Sequence, residues 1–214
     1  MLELKKELEK IKDSFSRISE IVYQTPVLSS ISINKALKAD ITFKAECLQE
    51  TGSFKLRGAS SAISLLSEEE KSRGVVAFSS GNHAQGIAYA SRELGTSAKI
   101  VMPSDAPKIK IRKTQEYGAE VIFYDRDEDN REEIGFSIAM EEGRKLIKPF
   151  DDLNVIYGQG TAALEVMNEV DTKFDMSVVC CSGGGLAAGT GIVLKNSLSD
   201  CQLYTAEPKD WNDH

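Results

Sequence analysis

Histidine occurs only twice in this 214-residue sequence, at His83 and His214, so there is no set of imidazoles from which a zinc centre could be assembled. Cysteine is almost as scarce. Cys47, Cys180, Cys181 and Cys201 show no CxxC spacing, which argues against a disulfide framework and against thiolate metal motifs. Because Cys180 and Cys181 fall inside an apolar, strand-like run, the cysteines are read as reduced thiols of the core. No apolar stretch approaches the roughly 18 to 20 residues that span a bilayer, and the charged start, with Glu3, Lys5, Lys6, Glu7, Glu9 and Lys10, has no signal-peptide core. A soluble, cytoplasmic protein is expected. Basic residues are outnumbered, 26 against 33 acidic, and the net charge of −7 supplies no bulk field for nucleic acid or anionic membrane. Neither an internal repeat nor a low-complexity segment is present.

The remaining composition is that of a folded globular protein, 41% apolar and 28% charged. Leu4, Leu8, Ile11, Phe15, Ile18 and Val22 recur at steps of three and four, predicting an amphipathic docking helix that ends near Thr25-Pro26. β-rich runs follow at Ile41 to Glu46, Val75 to Ser79, Ala98 to Met102, Ala119 to Tyr124, Val155 to Tyr157, Met176 to Cys181 and Cys201 to Ala206. Helical patterns lie between them. His83 to Leu94 ends at Gly95, Lys108 to Tyr117 at Gly118, and Glu132 to Ile147 just before Pro149. Strands alternating with helices predict an α/β protein whose mainly parallel sheet is covered on both faces. The charged stretch Asp125 to Glu133 reads as a solvated loop. The sequence stops directly after a strand with no further covering helix, so the last layer is expected to come from elsewhere or from a longer protein.

Three segments could carry chemistry. Ser182-Gly183-Gly184-Gly185-Leu186 follows an apolar strand and opens a helical pattern; glycines there admit close backbone approach, and free N–H groups at a helix start can cradle a phosphate. The alternative is a tight turn whose glycines serve packing. No Lys-Ser/Thr follows, so it is not a Walker A loop, but Gly183-x-Gly185-x-x-Ala188, with Glu207 about 20 residues on, also fits a dinucleotide fingerprint and leaves NAD open. Ser79-Ser80-Gly81-Asn82-His83 again joins a strand to a helix and suits a carboxylate or phenolate oxygen, unless Ser or Asn merely caps the helix. Ser53-Phe54-Lys55-Leu56-Arg57-Gly58-Ala59 puts a lysine at the start of a helix running to Leu66. Lys55 becomes a nucleophile toward a carbonyl only if burial or a nearby cation such as Arg57 lowers its pKa well below about 10.4; otherwise it is a solvated surface residue.

Taken in this order and at these separations, the three segments resemble the fold-type II pyridoxal-phosphate enzymes, specifically the serine/threonine dehydratase and serine racemase branch with the tryptophan synthase beta-like fold. The resemblance extends over essentially the whole chain, including Gln24-Thr25-Pro26 and Tyr117-Gly118-Ala119-Glu120-Val121. It implies that Lys55 carries pyridoxal 5'-phosphate covalently and later acts as acid and base. Gly183, Gly184, Gly185 and Leu186 would hold the cofactor phosphate. Asn82 would donate to the phenolic oxygen, and Ser79, Ser80, Asn82 and His83 would line the substrate carboxylate pocket. The implied activity is a dehydratase, or ammonia-lyase, giving a 2-oxo acid and ammonia from a small hydroxy amino acid. Threonine-specialised members often carry alanine where this chain has Ser80, whereas racemases and hydroxyaspartate dehydratases carry serine, so those activities are alternatives. An NAD-dependent oxidoreductase and an inactive fragment are the readings from other classes.

The same resemblance implies a divalent-cation site, magnesium or calcium, with carboxylates from Glu207 and Asp213 and the carbonyl of Trp211. It also implies a homodimer and two domains. A larger one comprises residues 1–73 and 152–214 and is incomplete at its C-terminal end; a smaller one, residues 74–151, is inserted into it. Members of the family are longer than this chain, and the part beyond it would contain the residue facing the pyridine nitrogen.

Overall fold

The computed structural model describes residues 2–171 and 173–210. Helix α1 (Leu2–Ile18) leads into strand β1 (Val27–Ser29), helix α2 (Ile31–Leu37) and strand β2 (Thr42–Lys44), and the two strands pair antiparallel. A single 3-10 turn at Glu46–Leu48 precedes α3 (Lys55–Ile63) and α4 (Glu68–Arg73). There follow β3 (Val75–Phe78), α5 (Asn82–Glu93), β4 (Ala98–Pro103), α6 (Lys108–Glu116), β5 (Glu120–Tyr124), α7 (Arg131–Glu142) and β6 (Lys145–Leu146), whose four strands form a parallel sheet in the order β5-β4-β3-β6. Finally α8 (Leu153–Glu169), β7 (Met176–Cys180), α9 (Gly185–Ser197) and β8 (Gln202–Ala206) follow, with β7 and β8 parallel to each other.

The four-stranded sheet obeys the strand period of two and is covered on both faces, as expected. Val75, Ala77, Ile100 and Met102 pack with Ala84, Ile87, Ala88 and Ala90 of α5 and with Leu56, Ala59 and Ile63 of α3. Val76, Phe78 and Val101 face the other way, onto Ile134, Ile138 and Ala139 of α7. A second core joins α1, α8 and α9 through Ile11, Tyr157, Leu164 and Val193. Glycines let these helices approach closely. A Cβ at Gly158 would stand 2.4 Å from the Arg57 carbonyl oxygen, and one at Gly189 would stand 2.6 Å from the Gly160 nitrogen.

Several expectations need correction. Val155 to Tyr157 is the first turn of α8, not a strand; the Asp152 side chain accepts from Asn154 N at 2.8 Å and Val155 N at 3.4 Å, and this N-cap starts a helix through the apolar run. A short buried run has no period that separates the two structures. The helix expected to reach Ile147 stops at Gly143, which takes a left-handed φ of 64°, and Lys145–Leu146 then pairs with β3. Helix α1 stops at Ile18, although Val22 is still buried. Of the four free thiols only Cys201 lies in the core; Cys47 and Cys180 are exposed and Cys181 is half-buried. For Cys180 and Cys181 the reason is that β7 belongs to a two-stranded sheet with one open face, where Met176 is 57% and Val178 61% exposed, so coverage of both faces does not extend to this pair; Cys47 lies in the 3-10 turn.

Candidate active site

Lys55 is the first residue of α3, entered through Phe54, whose ring centre lies 5.4 Å from Lys55 Nζ. The side chain is half-buried, and Nζ donates to the Pro149 carbonyl at 2.8 Å. Burial holds the amine below its ordinary pKa of 10.5, while Cys180 at the end of β7 pulls the other way. Arg57, the cation expected to help, is engaged elsewhere. Fully buried, it donates from Nη1 and Nη2 to the two oxygens of Glu165 at 2.6 and 2.8 Å, and from Nε and Nη2 to those of Glu46, both at 2.8 Å. Burial alone would lower its pKa, and the two carboxylates reverse that, so the guanidinium is held above its ordinary value. Lys44 Nζ adds a contact to Glu165 at 2.6 Å. This network ties α3 to α8 and to the turn after β2, fixing the helix whose first residue is Lys55.

Helix α5 backs directly onto Lys55, for a Cβ at Gly86 would stand 3.1 Å from the Lys55 carbonyl carbon and oxygen. At the start of α5, Gly81 occupies the N-cap and no side chain caps the helix, so neither Ser80 nor Asn82 has a capping role. Ser79 Oγ instead accepts from Gly81 N at 3.2 Å within the turn. Ser79 and Ser80 are half-buried, and Asn82 is exposed, with Oδ1 accepting from Lys110 Nζ at 2.6 Å. His83 is 2% exposed and its Nε2 lies 3.2 Å from the Ile147 carbonyl. A carbonyl only accepts, so Nε2 donates, and the neutral ring keeps a lone pair on Nδ1, which is buried and has no partner among the described residues. Burial, reinforced by the Lys55 charge and opposed by the Ile147 carbonyl, lowers the His83 pKa to about 3.

The glycine turn runs from the end of β7 into α9. Gly184 holds the N-cap with φ 81° and ψ −12°, a left-handed conformation that favours glycine, and no side chain caps the helix. A Cβ at Gly183 would fall 2.1 Å from carbons of the Phe150 ring, and one at Gly185 would fall 3.4 Å from the Phe150 backbone. The first-turn amides of α9, at Gly185 and Leu186, thus form the positive end of a 13-residue helix whose N-cap is a glycine, a chemistry suited to a phosphate. The packing role expected as an alternative is also present, since Phe150 lies against the turn.

Residues 147–150 connect these parts: the Ile147 carbonyl meets His83, the Pro149 carbonyl meets Lys55, and Phe150 meets Gly183. Lys55, His83 and the glycine turn therefore share one region, with Ser79, Ser80 and Asn82 at the adjoining end of α5. Pro149, Phe150 and Lys110 carry no motif and were not foreseen. Glu207 follows β8, half-buried, with Oε1 buried and unpartnered among the described residues; Trp211 and Asp213 lie outside them. No group of three or more His, Cys, Asp or Glu that could hold a metal occurs among the described residues. Likewise, none of their helices is long and apolar enough to cross a membrane.

The half-buried amine, the start of α5 and the glycine turn have a chemistry suited to an aldehyde-bearing phosphate ester. The profile of the pyridoxal-phosphate dependent enzyme family matches residues 18–213. L-threo-3-hydroxyaspartate ammonia-lyase of Saccharomyces cerevisiae is 46% identical over 203 residues, covering 95% of this chain and 62% of that protein. Serine racemase of Schizosaccharomyces pombe is 43% identical over 203 residues with the same coverage, 95% and 62%. The crystal structure of serine racemase from Dictyostelium discoideum superposes with a TM-score of 0.90 at 42% identity, covering 95% of this chain and 66% of that one. The chain spans about three-fifths of the length of the curated relatives it matches, 62% in both cases.

Proposed function

This chain belongs to the pyridoxal-phosphate dependent enzyme family, and from that premise we propose that it is the cofactor-holding part of an ammonia-lyase that converts a small β-hydroxy amino acid into a 2-oxo acid and ammonia. The observation that carries the reading is Lys55: a half-buried amine of lowered pKa, held in the same region as a glycine turn at an uncapped helix start. A depressed pKa raises the share of free amine, the form that attacks a carbonyl.

Bound there, pyridoxal phosphate supplies an electron sink for charge developing at the substrate α-carbon. The chain supplies the rest. Backbone amides at Gly183, Gly184, Gly185 and Leu186 grip the phosphate, and Asn82 donates to the phenolic oxygen. Ser79, Ser80 and Asn82, with the backbone N–H of His83, hold the substrate carboxylate. The His83 ring, which donates from Nε2 and keeps an acceptor at Nδ1, is unsuited to a carboxylate and suits a hydroxyl or ammonium donor. Lys55 removes the α-proton and returns it to the departing β-hydroxyl, which leaves as water; the enamine so formed tautomerises to an imine, and a water hydrolyses it to the 2-oxo acid and ammonia. A second reading, racemisation or action on a hydroxyaspartate, is favoured by the Ser80 hydroxyl. It caps no helix, and as a second proton-transfer group it could return the proton to the α-carbon. The two similar curated relatives, a hydroxyaspartate ammonia-lyase and a serine racemase, support keeping both chemistries in view.

Three further assignments belong to the same proposal. Residues 74–151, which contain the four-stranded sheet, form the smaller domain and the remainder the larger one. Glu207, whose buried oxygen has no partner among the described residues, joins Trp211 and Asp213 at a magnesium or calcium ion. The protein works as a cytoplasmic homodimer.

The test is borohydride reduction of the cofactor-treated protein followed by peptide mass spectrometry, with 2-oxo acid assays on serine, threonine and both threo and erythro hydroxyaspartates. We expect the reduced cofactor on Lys55 and oxo acid from at least one substrate. Label absent from Lys55 in a protein that remains folded would end the proposal.

A further inference from the structure

We infer that Lys110 is a positioning residue that fixes which way the Asn82 carboxamide faces. The inference rests on the cofactor reading of Asn82 given above. Lys110 lies in the first turn of α6, and its Nζ donates to Asn82 Oδ1 at 2.6 Å across 28 residues of sequence. An asparagine amide has a donor end and an acceptor end of nearly equal shape, and nothing in its covalent structure chooses between two orientations related by a half turn. An ammonium group has three donors and no acceptor. It therefore selects the orientation in which Oδ1 faces it and Nδ2 faces away.

The consequence is chemical. With Oδ1 held by Lys110, Asn82 has only a donor left to offer, and among the described residues nothing accepts from Nδ2. A free N–H pair at the start of α5 matches a phenolate oxygen, whereas the flipped amide would present a carbonyl oxygen and repel it. The positive charge also polarises the amide along its length, strengthening the far N–H as a donor. No backbone group takes part in orienting the amide, because the N-cap of α5 is Gly81 and Asn82 is not used for capping. The orientation is set from a neighbouring helix.

The experiment uses the wild-type protein, Lys110→Met, Lys110→Arg, Asn82→Ala and the Lys110→Met/Asn82→Ala double variant, each saturated with pyridoxal phosphate. The readout is the cofactor's absorption: the ratio of its visible band, which reports an ionised phenolic oxygen, to its near-ultraviolet band, which reports a protonated one. Lys110→Met is expected to lower this ratio severalfold while the urea midpoint stays within error of wild type, since the pair is exposed. Lys110→Arg is expected to restore it. In the Asn82→Ala background, Lys110→Met is expected to change nothing further, because its effect passes through Asn82. An unchanged ratio in Lys110→Met, or an equal effect of Lys110→Met with and without Asn82, overturns the inference. If wild type itself shows no borohydride-fixable cofactor on Lys55, the underlying cofactor reading fails and takes this one with it, an outcome separable from the first two.

Discussion

His83 is held neutral by its surroundings, and the sign of the effect on stability follows. Its pKa is about 3 in the folded chain against 6.5 when exposed, so between those values the unfolded chain binds the extra proton. The stability this group contributes is complete above about pH 6.5 and is lost as the pH falls toward 3. Urea midpoints measured across that window should therefore decline in wild type and decline less in His83→Asn, which can still donate to the Ile147 carbonyl. Arg57 is a second residue whose environment dictates the outcome. Arg57→Met would leave Glu165, 1% exposed, and Glu46 without their main counter-charge, at a cost of about 3 to 5 kcal/mol. Arg57→Lys should recover little of it, because an ammonium cannot reproduce the paired contacts to two carboxylates. Denaturant unfolding of the three forms checks both statements.

Among the secondary elements, α8 shows most clearly what one sequence can and cannot reveal. Its start was encoded by Asp152, an N-cap residue directly before an apolar run, yet Val155, Ile156 and Tyr157 are equally good strand formers and the run has no period to arbitrate. Asp152→Ala should cost about 1 kcal/mol, read as a shift in thermal midpoint. Where a breaker stood at the right place, element boundaries were legible, as at the turns of Gly95 and Gly118; the Asn130 cap, which opens α7 at Arg131 inside the stretch read as a solvated loop, was missed because the charged run around it has no apolar period. At Gly143 the breaker was present and a later proline was taken instead. Gly158 shows the reverse case, a glycine inside a helix that propensity disfavours. Gly158→Ala would gain about 1 kcal/mol of helix propensity. It would also drive a methyl to 2.4 Å from the Arg57 carbonyl oxygen, so a net loss of about 1 to 3 kcal/mol is expected in the same assay.

Over the whole molecule, the parts of the candidate site written as local motifs were visible beforehand, and those made by chain crossing were not. Lys55, the Ser79 to His83 turn and the glycine turn each announce themselves within a few residues. Pro149 meets Lys55 from 94 residues along the chain, Phe150 packs on the glycine turn, and Lys110 reaches Asn82 from another helix, contacts that no spacing rule encodes. The open face of β7 and β8 was likewise obscured, because the apolar run read as core. Met176 and Val178 on β7 and Tyr204, paired with Val178 on β8, are 57, 61 and 49% exposed, a contiguous apolar patch on a short sheet. Val178→Lys should reduce light scattering of this chain at low ionic strength without changing its circular dichroism.

Residues 147 to 150 touch the imidazole, the amine and the glycine turn in quick succession, so this short span works as a crossbar bolted at three points. Loosening one bolt shifts the load onto the other two. Substitutions at Ile147, Pro149 and Phe150 will therefore give effects that do not sum, and an alanine scan through the span would credit each position with work the three perform jointly.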